Sequence, residues 1–258
     1  MARALITNDD GIDSPGLWAL AAAARDAGLE VVVAAPHLDT SGVGTSVLSV
    51  QDDGWTAVHA RELPGLSGVD AWAVEGHPAY IVHVAGRGWL DPAPDVVLSG
   101  INVGANVGHA VLHSGTVGAA LTAARHGWRG LAVSLETAWP PERLHWDTAV
   151  AVVPAVLAGL LAAPAGTVLS LNVPHRPVAA LRELREARLA RFGVVQVCVA
   201  HRLGENGAGG LHATVGELED PPEPDTDAAL LAAGHPTLTE LTPLRECPGV
   251  LERLELGG

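Results

Sequence analysis

Lysine is absent from this chain. Its 15 basic residues are all arginine, against 29 Asp and Glu, and the net charge is −14. Such a surface suits neither a nucleic-acid polymer nor an anionic membrane, both of which reward basic patches. Without lysine a P-loop, GxxxxGK[ST], is excluded outright. Cysteine is nearly absent too: Cys198 and Cys247 lie far apart and form no metal spacing. Free thiols of a reducing compartment are expected, and with them a cytoplasmic protein. The N-terminal MARALITNDD is too short in its apolar part for a signal peptide and runs straight into carboxylates. Residues 149–165 carry no charge, yet they fall short of the roughly 20 residues a membrane span needs. They contain two prolines and are mostly alanine, so a buried helix of a core is predicted. The histidines show neither HxH nor HExxH spacing, which argues against a zinc hydrolase. No GxSxG elbow, GxGxxG turn or DxDx[TV] strand motif occurs.

What is present points to one large α/β domain, alone or with a smaller appendage: 258 residues, 48% hydrophobic. Short apolar runs predict strands at 3–7, 29–35, 71–75, 95–99, 130–135 and 167–173. Helical segments at 14–27, 78–88, 115–126 and 147–163 alternate with them. That alternation predicts a parallel sheet covered by helices on both faces. After residue 175 the pattern weakens. By composition 181–192 reads as a helix. Residues 194–200 and 211–215 read as strands around a glycine-rich turn at 205–210, and acidic, proline-rich 217–227 reads as a loop.

Four segments carry chemistry. Asn8-Asp9-Asp10-Gly11 follows the first strand, and Ser14-Pro15 then starts a helix. Adjacent carboxylates at the carboxyl end of a strand sit where open α/β sheets place ligands. Side by side they repel unless a cation neutralises them or one keeps its proton, and a hard divalent metal is the simplest answer. Thr40-Ser41-Gly42-Val43-Gly44-Thr45-Ser46 lets backbone approach a ligand. The segment 99–108, SGINVGANVG, offers Asn102 and Asn106 as neutral amide oxygens and N–H donors. His113-Ser114-Gly115-Thr116 opens a helix and presents N–H groups and hydroxyls to an anion. Each segment alone also reads as turn or cap chemistry; together they describe a metal-plus-phosphate site.

In this order and spacing the chain resembles the SurE family of metal-dependent 5′/3′-nucleotidases. Further matches are GLAVS (130–134), LNVP (171–174), and DTD (225–227) followed by TPL (242–244). The resemblance implies a Rossmann-like three-layer αβα core over 1–180. It also implies a smaller β-rich extension over 181–258, a hairpin arm and C-terminal segment packed with the core, and a homodimer or homotetramer. In that family 183–191 runs as a strand rather than a helix. The implied ligands of one divalent ion per subunit, Mg²⁺ or Mn²⁺ with Ca²⁺ possible in crystals, are Asp9, Asp10, Ser41 and Asn102. Asp9 or Asp10 would activate the water. Asn8, Gly44, Asn106, Ser114, Gly115 and Thr116 match substrate and phosphate positions.

The chain departs from the family at three places. His113 replaces a frequent Tyr, Gly76-His77-Pro78-Ala79-Tyr80 replaces G-T-P-x-D-C, and His37–Thr40 lacks a basic residue. His113 becomes a candidate proton donor to the leaving oxygen, and Tyr80 a candidate pocket wall. A nucleoside monophosphate is the expected small phosphorylated substrate. A phosphatase specialised for another phosphate ester, for instance in a secondary-metabolite pathway, and an idle metal- or nucleotide-binding member are the alternatives. The intact ligand set argues against the last.

Overall fold

A computed structural model describes residues 1–137, 144–191, 195–203, 209–217 and 223–254. Eleven strands lie among them: β1 (Arg3–Thr7), β2 (Glu30–Pro36), β3 (Val58–Ala60), β4 (Asp70–Val74), β5 (Val96–Val103), β6 (Arg129–Leu135), β7 (Val168–Val173), β8 (Arg185–Glu186), β9 (Val195–Leu203), β10 (Gly209–Glu217) and β11 (Thr237–Leu241). Nine form one sheet in the order β3-β4-β2-β1-β5-β6-β7-β11-β8. Its six central strands are parallel, as the alternating pattern predicts. Toward the edges β3 and β11 run antiparallel to β4 and β7.

The principal helices are α1 (Pro15–Asp26), α2 (Pro78–Val84), α3 (Gly115–Arg125) and α4 (Trp146–Ala162). On α1, Leu17, Leu20, Ala21 and Ala24 recur at helical spacing and are fully buried. They join Val153, Val156, Leu157 and Leu160 of α4 in the core beneath one face of the sheet. The opposite face packs Ile81 and Val82 of α2 against Ala119 and Ala123 of α3. Layers of helix, sheet and helix result. Small residues set their spacing: a methyl on Gly130 of β6 would lie 2.3 Å from the Ala120 carbonyl oxygen, so α3 rests directly on the sheet. The uncharged stretch forms α4 with one face buried. No helix among the described residues is long and apolar enough to cross a membrane.

The chain runs from β1 to β2 on one side and later returns to β5 on the other. That reversal opens a crevice at the carboxyl ends of β1 and β5, the position where doubly wound sheets bind ligands.

The helix read from composition over 181–192 does not form. The backbone of this segment is taken up by the C-terminal region: the amides of Arg185 and Ala187 donate to the carbonyls of Pro236 and Leu238. β8 thereby joins β11, burying Ala187 and Ala190, and tertiary pairing overrides a weak helical preference. β9 and β10 pair antiparallel as a separate two-stranded sheet. The glycine-rich turn at 205–208 and residues 218–222 of the acidic stretch lie outside the described residues. The acidic stretch ends in a short helix that composition did not signal, α5 (Asp227–Ala232).

Candidate active site

Asp9 and Asp10 leave β1 into a turn closed by Gly11, whose φ of +97° suits glycine. Asn8 holds that turn. It is fully buried, its Nδ2 donates to the Gly11 carbonyl at 3.0 Å, and its Oδ1 accepts from the Gly11 amide at 3.2 Å. Both ends of the amide thus hold the turn, which gives Asn8 a supporting role beside the Asp pair.

Asp9 lies against the first turn of α3. The Thr116 hydroxyl donates to Asp9 Oδ1, and the Thr116 backbone amide supports the same carboxylate. Gly115 permits this approach, since a methyl there would fall 2.7 Å from Asp9 Oδ2. Ser114 caps the helix by accepting from the Val117 amide at 3.1 Å. Much of the helix terminus is therefore spent on Asp9 and on capping. The Gly115 amide is the first-turn donor that stays uncommitted among the described hydrogen bonds. Thr116, expected at the phosphate, orients Asp9 through its hydroxyl.

Asp10 is the electrostatic anomaly. Its Oδ2 is buried with no hydrogen-bond partner. Burial first, then the charges of Asp9 and Asp39, push its carboxyl up to about 7, against partial relief from the Val103 amide. Burial also raises Asp9, against the opposing Thr116 hydrogen bond. Asp39, which the sequence reading passed over, accepts from both the hydroxyl and the amide of Ser41, at 2.7 and 2.8 Å.

Asn102 follows a register shift in β5 between Ser99 and Asn102, an irregularity of the kind that redirects side chains. Its Nδ2 donates to the Gly104 carbonyl at 2.8 Å, leaving Oδ1 open. Asn106 is gripped by two residues matched only as motif letters in the sequence. Asn172 Oδ1 accepts from the Asn106 amide and Asn172 Nδ2 donates to its carbonyl, at 2.8 and 2.9 Å. Ser134 accepts from Asn106 Nδ2 at 2.9 Å. Both lie near the carboxyl ends of β6 and β7, a position that could have flagged them.

These elements enclose a cavity of about 280 Å³, lined by Asp9, Ser41, Gly42, Asn102, Val103, Asn106, Ala110, His113 and Ser114. No arginine is among its described walls. Gly44 stands behind them: its amide donates to the His113 carbonyl at 3.1 Å, and its carbonyl packs on Gly118 of α3. Tyr80, expected on the wall, lines a different cavity with Trp55 and Trp89, and its hydroxyl is 2.8 Å from that of Thr56.

The donor set fits a hard divalent cation. An orphaned carboxylate oxygen, three mutually repelling carboxylates and uncommitted amide oxygen are what such an ion neutralises and binds. Among the described residues no group of three or more His, Cys, Asp or Glu is placed to hold a metal. The ion would therefore need the neutral oxygens of Ser41 and Asn102 beside the Asp pair.

The raised Asp10 carboxyl has a consequence for stability. Between pH 3.8 and 7 the folded protein holds a proton that the unfolded chain has released, so stability falls as pH rises through that window. Thermal unfolding of the metal-free protein should therefore show wild type losing stability relative to Asp10→Asn across this range. A pH-independent difference would contradict the assignment.

The survival protein SurE family model matches residues 4–196. A 5′-nucleotidase SurE from Xanthomonas euvesicatoria is 39% identical over 203 residues, 78% of this chain and 74% of that one. A 5′/3′-nucleotidase SurE from Yersinia pestis is 35% identical over 247 residues, 93% and 90% of the two chains. The crystal structure of SurE protein from Aquifex aeolicus superposes with a TM-score of 0.80 at 26% identity, covering 98% of each chain. By the matched model and by these relatives, this chain belongs to the SurE family.

Proposed function

We propose that the protein is a metal-dependent phosphomonoester hydrolase that releases phosphate from nucleoside 5′- and 3′-monophosphates. One observation carries the reading: buried Asp9, next to part-buried Asp10 with its unpartnered Oδ2, abuts a helix N-terminus at a pocket whose described walls hold no arginine. A phosphate dianion would be repelled there unless a divalent ion accompanied it. Asp9, Asp10, Ser41 and Asn102 would hold that ion, Mg²⁺ or Mn²⁺. When bound it supplies Lewis-acid charge at the phosphoryl group and makes a nearby water more acidic.

The chain's own residues supply the rest. The Gly115 amide and the second Nδ2 hydrogen of Asn106 donate to phosphoryl oxygens and hold the group in line. Asp9, oriented by Thr116, keeps its carboxylate fixed. Asp10, next to it in the same turn, accepts the attacking water's proton. His113, on the pocket wall, donates a proton to the departing sugar oxygen.

The separate β9–β10 hairpin supports an assembly of two or four copies, because an isolated two-stranded hairpin is marginal in water and gains from packing on a partner. The hairpin and the segment around it form the extension to the core over 1–180. The free, exposed Cys247 supports a reducing, cytoplasmic setting.

Phosphate release is measured with Mg²⁺ or Mn²⁺ over nucleoside monophosphates and sugar phosphates. Activity is expected on the nucleotides, lost on chelation and restored by adding back the ion. Undiminished turnover after chelation would overturn the metal reading. Turnover confined to sugar phosphates would overturn the substrate.

A further inference from the structure

We infer that Asp227 is a positioning residue for the phosphate side of the pocket. Asp227 is 1% exposed. Its Oδ2 accepts from the Gly108 amide at 2.7 Å, while Oδ1 accepts from the amides of Ala190 and Ala228, each at 2.8 Å. The described ion pairs include none on Asp227. A carboxylate is held here by the backbone N–H of its own helix and of two distant stretches of chain. Burying it is costly, and that cost is offset only while the two distant stretches stay in register with α5.

Capping α5 does not account for it. Thr226 already caps that helix, accepting from the Ala229 amide. The contact that stands out is Gly108, 119 residues away. Gly108 closes the segment that carries Asn106 and starts the helical turn Gly108–His113, which brings Ala110 and His113 to the pocket wall. The next amide, His109, donates to the Ala190 carbonyl at 3.0 Å. Beneath this junction Val107, Ala190, Ala228 and Leu231 form a small separate core. Asp227 thus fixes the far end of the loop whose near end is gripped by Asn172. Of the four proposed metal ligands, Asp9, Asp10 and Ser41 sit on other segments, and Asn102 lies in β5 on the far side of the Asn172 grip.

The inference rests on the proposed site, so its test separates the two. Inorganic phosphate binding is measured by calorimetry on Mn²⁺-loaded protein, Mn²⁺ binding on metal-free protein, and kcat and KM on a nucleoside monophosphate. Asp227→Asn keeps the volume but turns an amide N–H toward one of the backbone donors. It is expected to weaken phosphate binding and raise KM about tenfold, the scale of one charge-assisted hydrogen bond. Mn²⁺ affinity is expected to stay within about twofold, since Asp9, Asp10 and Ser41 lie on other segments and Asn102 lies in β5, ahead of the Asn172 grip on Asn106. Thr239→Val, which removes a buried hydrogen bond to the Ala187 carbonyl in the same region, serves as the stability control. It is expected to lower the melting temperature without moving phosphate affinity.

Unchanged phosphate affinity in Asp227→Asn, or an equal loss in Thr239→Val, would overturn the inference. If Asp227→Asn does not fold, Val107→Ala loosens the same junction, and unchanged phosphate affinity there would overturn it as well. Asn106→Ala distinguishes the levels: if it too leaves phosphate binding intact, the site reading itself fails.

Discussion

Asp9→Asn is expected to lower kcat by about 10³-fold while raising the melting temperature of the metal-free protein. The loss follows from removing one of two charges that hold the cation. Several kcal/mol of transition-state stabilisation depend on that ion, and each 1.36 kcal/mol is tenfold in rate. The gain in stability follows from burial. Asp9 is 3% exposed and lies beside Asp10, with Asp39 adding to the repulsion. An asparagine has the same shape and keeps an oxygen to accept from Thr116, but it carries no charge to desolvate. Steady-state kinetics and thermal unfolding with and without Mn²⁺ check both halves. An inactive variant that is also less stable without metal would make Asp9 a structural residue instead.

Gly115→Ala is expected to cost about 10²-fold in kcat, because misplacing a reacting group by about 1 Å has that effect. The added methyl would fall 2.7 Å from Asp9 Oδ2 and 2.9 Å from its Cβ. The oxygen alone could swing aside; the Cβ cannot move without shifting the turn after β1. Overpacking of this kind also destabilises, by about 1–3 kcal/mol. Gly159→Ala in α4 provides the comparison, since nothing lies within 4 Å of the added methyl. It is expected to leave activity unchanged and to stabilise by at most about 1 kcal/mol. Kinetics of the two variants side by side test whether the close approach of α3 to Asp9 matters to turnover.

The place of the Asp pair was legible in the sequence because it depends on local events: an apolar strand, two carboxylates, a glycine turn and a proline-started helix. The central parallel sheet was legible for the same reason. The roles of Thr116 and Asn8 were not. Thr116 reaches Asp9 across 107 residues, and a hydroxyl near a helix start looks the same whether it meets a phosphate or a carboxylate. Asn8 sits beside the ligand pair in sequence, yet its amide turns back onto Gly11. Tyr80 sits on α2 and faces the second cavity, a matter of packing between β3, β4 and α2 rather than of motif. The segment 181–192 misled by composition, because its backbone partners come from residues some fifty positions later. Asp227 and Asn172 stood inside recognisable motifs, but both bind backbone amides of the loop 106–108, and only the folded chain brings them there.

The most direct test is a calorimetric titration of metal-free protein with Mn²⁺, repeated on Asp9→Asn and accompanied by phosphate release at each point. The account predicts one ion per chain, turnover rising in step with occupancy, and loss of both in the variant. Turnover that does not track occupancy, or unchanged Mn²⁺ binding in Asp9→Asn, would contradict it.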